Sequence, residues 1–153
     1  MILVDTNVLL RLIQIGHVHQ QPALDAIAML HERHQEQLAV CPQTLYEMYA
    51  VCTRRADAPY PGLGLAPPAA MVQLERAQHQ FHWEPESSGV VSRWKELVVR
   101  YGVTGKSTHD ARLVALMIEQ AITKLLTFND SHFARFTEIE ALNPFDVLGV
   151  ARA

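Results

Sequence analysis

The sequence predicts an α/β domain built on a central, largely parallel sheet. Three observations carry this. Short apolar runs recur at Ile2–Val4, Leu38–Cys41 and Lys124–Thr127; segments of helical length and periodicity lie between them; and polar residues that leave strands and open helices stand at the junctions. In open parallel sheets ligands bind beyond the carboxyl ends of the strands, so function is expected at those junctions.

The opening run ILV ends at Asp5-Thr6-Asn7, residue types that leave a strand and cap a helix. Pro22 suits a helix start, and Leu24, Ile27, Ala28 and Leu30 mark one helical face before the polar stretch His31 to Gln37. After Leu38–Cys41 and Pro42, the segment TLYEMYAVCTRR places Leu45, Met48, Tyr49 and Cys52 at helical spacing. The stretch from Ala56 to Pro68 carries Pro59, Pro61, Pro67, Pro68, Gly62 and Gly64, and reads as a surface loop. Helices follow over about Ala69–Gln80 and Glu86–Tyr101, with a short strand at Phe81–Glu84 between them and Gly102 closing the second. A helix over His109–Ala121 buries Ala111, Val114, Ala115 and Ile118, and Lys124–Thr127 leads into Phe-Asn-Asp. Ile139–Leu142 is a last short strand before Asn143-Pro144.

The chain has 153 residues, 49% of them hydrophobic, which suits one domain with a sizeable core. With 13 Lys+Arg against 16 Asp+Glu the net charge is -3, so a nucleic-acid partner would need a local basic patch. Cys41 and Cys52 form no CxxC pair and read as reduced core thiols. Without a secretory leader or a run near the roughly 18 apolar residues of a membrane span, a cytoplasmic protein with no membrane association is expected.

Thr44-x-x-Glu47, Ser107-x-x-Asp110 and Thr127-x-x-Asp130 each fit a capping box or a close variant of it, and Asp5 would cap the first helix, each cap contributing about 1 kcal/mol. Capping does not explain why all these acids fall at one sheet edge, or why Asp5 closes an apolar strand. Carboxylates brought close together raise one another's pKa and persist only with a cation to neutralise them. Oxygen-only donors favour Mg²⁺ or Mn²⁺, ions that activate water and stabilise the leaving oxygen in phosphoryl chemistry.

VDTNVLL at the N-terminus, the acid in TLYEMY, the central HDARLVALM and the late LLTFNDSHF, in that order, resemble the PIN-domain nucleases, and among them the VapC-type toxins of bacterial toxin–antitoxin pairs. The likeness runs from Ile2 to about Asn143. It implies a three-layer α/β/α fold in a single domain over 1–153, and Mg²⁺-dependent endoribonuclease activity, with Mn²⁺ as an alternative ion. Asp5, Glu47 and Asp110 match the acidic metal site, and Thr6 and Asn7 match a polar pair that orients a carboxylate, a water or the scissile phosphate. Where many members carry a fourth acid this chain has Asn129, with Asp130 beside it as a stand-in. A homodimer and a small VapB-type antitoxin partner are implied as well.

RNA binding needs cations, and Arg11, Arg54, Arg55, Lys106 and Arg112 lie in or near the motif segments, Arg112 two residues past Asp110. The paired histidines His17/His19, His31/His34 and His79/His82 lack a completed zinc ligand set and read as solvated faces, as does His109. Trp83 and Trp94 read as core, and Gly62-x-Gly64 precedes no helix directly and so forms no phosphate loop. Two rival functions remain. A phosphatase of the haloacid dehalogenase type would use Asp5 as nucleophile, but Asn7 stands where it needs an acid/base. An RNA- or protein-binding module with a decayed metal site would be consistent with Asn129.

Overall fold

The computed structural model describes residues 1–152. Its strands are β1 (Ile2–Val4), β2 (Leu38–Val40), β3 (His82–Trp83), β4 (Lys124–Leu126) and β5 (Glu140–Leu142). They form one sheet in the order β3-β2-β1-β4-β5, and all four pairings are parallel. The helices are α1 (Thr6–Ile13), α2 (Gln20–Ala28, continued by a π-helical turn over Met29–Arg33), α3 (Pro42–Thr53), α4 (Pro67–Gln80), α5 (Val90–Arg100), α6 (Ser107–Glu119), α7 (Asp130–Phe133) and α8 (Pro144–Leu148).

Strands that are apolar at every position rather than at alternate ones are buried on both faces, and β1 shows how. Ile2 and Val4 point into a core with residues of α1 to α4, including Val8, Leu9, Met48 and Leu74. Leu3 points the other way, against Val90 and Leu97 of α5 and Leu113 to Met117 of α6. Leu126 and Leu125 of β4 divide in the same manner. The result is the expected three-layer arrangement of helices, sheet and helices.

Several boundaries differ from those read in the sequence, each for a local physical reason. Helix α2 begins two residues before Pro22; with the turn that continues it, it buries Ala23, Ala26 and Leu30, while Ile27 is only partly buried and Leu24 and Ala28 are exposed, so the buried face is shifted from the one read in the sequence. Helix α5 begins at Val90 rather than Glu86, after Gly89, where a Cβ would lie 2.0 Å from Glu119 Oε2. Helix α6 starts at Ser107, so Ser107 is its first residue and not its cap. Pro67 and Pro68 open α4, where a missing amide costs nothing, and the loop therefore ends at Ala66. The short helices α7 and α8 are too brief to leave a periodic signal. Cys41 and Cys52 are both free and buried, and burial pushes both thiols up in pKa. No helix among the described residues is long and apolar enough to cross a membrane.

The proline- and glycine-rich loop is mostly exposed but closely tied down. Its amides at Leu63, Gly64 and Leu65 donate to Val51 O, Arg54 O and Cys52 O at 3.0, 2.9 and 2.8 Å, satisfying carbonyls that the end of α3 leaves open. Gly62 lets the chain come this close, since a Cβ there would meet Val51 O at 2.4 Å and Arg54 O at 2.5 Å. Gly62→Ala should therefore destabilise the fold by about 1–3 kcal/mol and open the loop. A lower urea midpoint with faster proteolysis within residues 56–66 is expected; an unchanged midpoint and cleavage rate would refute the anchoring.

Candidate functional site

The chain leaves β1 towards β2 on one side and returns through β4 on the other, so the gap beyond their carboxyl ends is the topological switch point of the sheet. Asp5 follows β1 and Thr127 follows β4, and they meet across that gap. The Thr127 hydroxyl donates to Asp5 Oδ2 at 2.7 Å, and Asn7 Nδ2 donates to the same oxygen at 2.7 Å and to Thr127 Oγ1 at 2.9 Å. Asn7 Oδ1 accepts from the Phe128 amide at 3.0 Å, so both ends of this amide stitch α1 to the end of β4. Asp5 is only 8% exposed.

The second acid, Glu47, arrives from α3. Its Oε2 accepts from Thr6 Oγ1 at 2.9 Å and its Oε1 from Gln43 Nε2 at 2.8 Å. Asp110 arrives from the first turn of α6, with His132 Nδ1 of α7 3.9 Å from its Oδ2. Thr6 and Asn7 thus each hydrogen-bond a carboxylate. Asn7, with its amide wholly engaged, offers no acid/base to a phosphatase.

None of the three acids caps a helix. Asp5 stands at the cap position of α1 without a side-chain cap bond. At α3 the box forms between Cys41 and Thr44, whose hydroxyl accepts from the Cys41 amide at 3.1 Å and donates to its carbonyl at 2.9 Å, leaving Glu47 out. Asp110 sits inside its helix with no cap bond. Instead the acids act on one another. Burial, above all, pushes Asp5 up to about 6, with the Thr127 hydrogen bond opposing and the charges of Glu47 and Asp110 adding to the rise. Burial also raises Asp110, partly offset by His132 and reinforced by Glu47.

As a donor set, these groups fit a hard divalent cation: they offer carboxylate oxygens, and among the described residues no Lys or Arg is hydrogen-bonded to any of the three. They share a field without closing on one point, for no three His, Cys, Asp or Glu side chains among the described residues gather as a ready ligand set.

The other expected residues lie differently. Asn129 is exposed and contributes its backbone amide to Thr127 Oγ1 at 3.0 Å. Asp130 is engaged elsewhere, accepting from Asn143 Nδ2 at 2.8 Å and pairing with Arg152 at 3.1 Å, so the structure does not bring it into the acid cluster. Arg112 is occupied, with Nη1 on Gln43 Oε1 at 2.9 Å and Nη2 on Glu86 at 2.6 Å. Arg11 is bonded to Gln14, Arg55 to Asp57, and Arg54 to Tyr60 O, while Lys106 Nζ lies 4.7 Å over the exposed Tyr60 ring. Among the histidines, His19 stacks on Phe128 at 4.7 Å. Trp94 packs on the core as expected and donates to Thr108 O at 3.0 Å, whereas Trp83 is 39% exposed. Three residues of the site carried no functional signal in the sequence. Thr127 was singled out only as a cap, His132 was present only within the segment LLTFNDSHF without a role of its own, and Gln43 was not singled out, although its i,i+4 spacing to Glu47 was a geometric cue that could have found it.

A family profile described as PIN domain matches residues 2–139. Among solved structures, the chain is similar to VapC20 of Mycobacterium tuberculosis, described as a Sarcin-Ricin loop cleaving toxin. That match has 19% identity, 89% of this chain and 95% of that one covered, and a TM-score of 0.65. FitAcB of Neisseria gonorrhoeae is 17% identical, with 95% and 99% covered and a TM-score of 0.68. The DNA-bound VapBC of Salmonella typhimurium is 15% identical, with 94% and 99% covered and a TM-score of 0.66. At these identities the likeness is one of fold. No curated protein matches the chain.

A carboxyl whose pKa is higher folded than unfolded binds its proton more tightly in the native state, so stability falls as pH rises from about 4 through about 6. At neutral pH and without divalent cations, ionised Asp5 costs about 2–3 kcal/mol. Asp5→Asn, which keeps an oxygen for Asn7 and Thr127, should raise stability by about that amount at pH 8 in chelator and by little at pH 4. Chemical denaturation across this range measures it; a variant no more stable than the parent at pH 8 would contradict the strained carboxylate.

Proposed function

The chain belongs to the PIN-domain family, and from that premise we propose that it is a divalent-metal-dependent endoribonuclease, the toxin of a VapBC-type toxin–antitoxin pair. One observation carries the proposal. Asp5, Glu47 and Asp110, distant in sequence, come to one end of the sheet, cap nothing there, and raise the pKa of Asp5 together with its burial. A structural role does not call for this costly arrangement, whereas a cation does.

Asp5 and Asp110 would hold Mg²⁺ or Mn²⁺, and Glu47 would hold or polarise the attacking water. The bound ion would supply charge neutralisation at the phosphate and a more acidic water. The chain's own contribution is orientation. Thr6 and Gln43 fix the plane of the Glu47 carboxylate from both sides, and Asn7 with Thr127 fixes Asp5 through one oxygen. Asn129 supplies no fourth charge, so we assign one ion rather than two. The same feature favours a second reading, a binding module with an impaired metal site, which would retain RNA without cutting it.

The structures similar to this chain include toxin–antitoxin complexes, and we assign the same kind of partner here. The surface we assign to it is a groove of about 750 Å³ whose lining mixes apolar residues such as Leu12, Ile13 and Phe81 with polar ones such as Glu32, Arg76 and His79, and does not include the three acids. We also assign a homodimer and a cytoplasmic location, where RNA substrate and antitoxin meet.

Incubation of the protein with a pool of structured RNAs in Mg²⁺, Mn²⁺ or chelator, followed by mapping of cut ends, tests the activity. Cleavage confined to the divalent arms is expected, with Glu47→Gln and Asp110→Asn slower by roughly 10²-fold or more and still folded. Retention of RNA without products in any arm would replace this function with the binding module.

A further inference from the structure

The acids of the site stand on three separate elements, and something must set the spacing between Glu47 of α3 and Asp110 of α6. Gln43 lies one turn before Glu47, is only 5% exposed, and bridges the two helices. Its Nε2 donates to Glu47 Oε1 at 2.8 Å and to the carbonyl of His109, the residue before Asp110, at 2.9 Å. Its Oε1 accepts from Arg112 at 2.9 Å, and Arg112 is itself anchored on Glu86 at 2.6 Å. We propose that Gln43 is a positioning residue, held in one amide orientation by Arg112, that fixes the Glu47 carboxylate relative to Asp110 and so sets the affinity of the site for a divalent cation. The inference rests on the metal-dependent function proposed above.

The chemistry of the amide leaves little choice of orientation. On one side it meets two acceptors, a carboxylate oxygen and a backbone carbonyl; on the other it meets a guanidinium that only donates. Turned over, the amide would set its oxygen against the Glu47 carboxylate and its NH₂ against Arg112. Thr6 plays the matching part on the far side, bonding Glu47 from the residue after Asp5. Glu47 is thereby tied to the neighbour of each other acid, by Thr6 towards Asp5 and by Gln43 towards Asp110. Groups that orient metal-holding carboxylates in this way typically change metal affinity by about 10- to 100-fold when removed.

Mn²⁺ binding to the full chain, followed by electron paramagnetic resonance without RNA, gives a readout independent of turnover. Gln43→Met preserves length and bulk but none of the three hydrogen bonds, and should raise the Mn²⁺ Kd by roughly 10-fold. In a Glu47→Gln background it should have almost no further effect, because it acts through that carboxylate. Arg112→Met, which leaves the Gln43 amide free to turn over, should weaken Mn²⁺ by a smaller factor, and this second variant decides the matter if Gln43→Met does not fold. A Kd within about two-fold of the parent in the folded variants, or equal losses with and without Glu47, would overturn the positioning role alone. A parent protein that neither binds Mn²⁺ nor cleaves RNA would overturn the metal-dependent function and this inference together.

Discussion

A carboxylate buried at the end of the middle strand is the constraint from which the rest follows. Asp5 closes a strand whose three residues are wholly buried, and among the described residues no Lys or Arg is hydrogen-bonded to it. The fold answers with hydrogen bonds alone, from Asn7 and Thr127, and these bonds also tie the ends of β1 and β4 together at the switch point. Parallel pairing of β1 with β4, in register from Ile2 against Lys124 to Val4 against Leu126, delivers the Thr127 hydroxyl to that place. Two further acids then approach from helices on opposite faces of the sheet. Electrostatic strain and site architecture are one feature.

The remaining polar groups divide into those that orient acids and those that brace the scaffold. Thr6 and Gln43 belong to the first kind. Arg112, Asp130 and Asn143 belong to the second: the basic residue nearest the motif acid spends its donors on Gln43 and Glu86, and the carboxylate beside Asn129 is taken up by Asn143 and Arg152. Charge counted along the sequence therefore overstates what the site holds. Among the described residues, neither Asn129 nor Asp130 adds a fourth charge beside the three acids, and no arginine is hydrogen-bonded to any of them.

Much of the fold was legible because its cause is local. Continuous apolar triplets mark strands buried on both faces, and the alternation with helical segments forces parallel connections. The acids at strand ends and helix starts were legible for the same reason, since parallel topology brings those positions to one edge. Helix faces were harder. In α2 the large residues Leu24 and Ile27 set the apparent periodicity, yet in this helix, which packs against α1 and α8, Ala23 and Ala26 are the wholly buried positions, while Ile27 is partly buried and Leu24 exposed. The capping spacings misled in a consistent way: Thr44, Ser107 and Thr127 precede an acid by three residues, but each helix start is placed or satisfied differently. Gln43 was invisible because its partners His109 and Arg112 lie far along the chain, and only the packing of α3 near α6 brings them to it.

The central claim is that folding gathers Asp5, Glu47 and Asp110 around a shared divalent ion. Crystals of the protein soaked in Mn²⁺, with anomalous scattering collected to locate the metal, test it most directly. The account predicts a single strong peak at the switch point of the sheet, in contact with Asp5 and Asp110. A peak confined to the histidines of the groove, His31, His79 and His82, or none at saturating Mn²⁺, would contradict it.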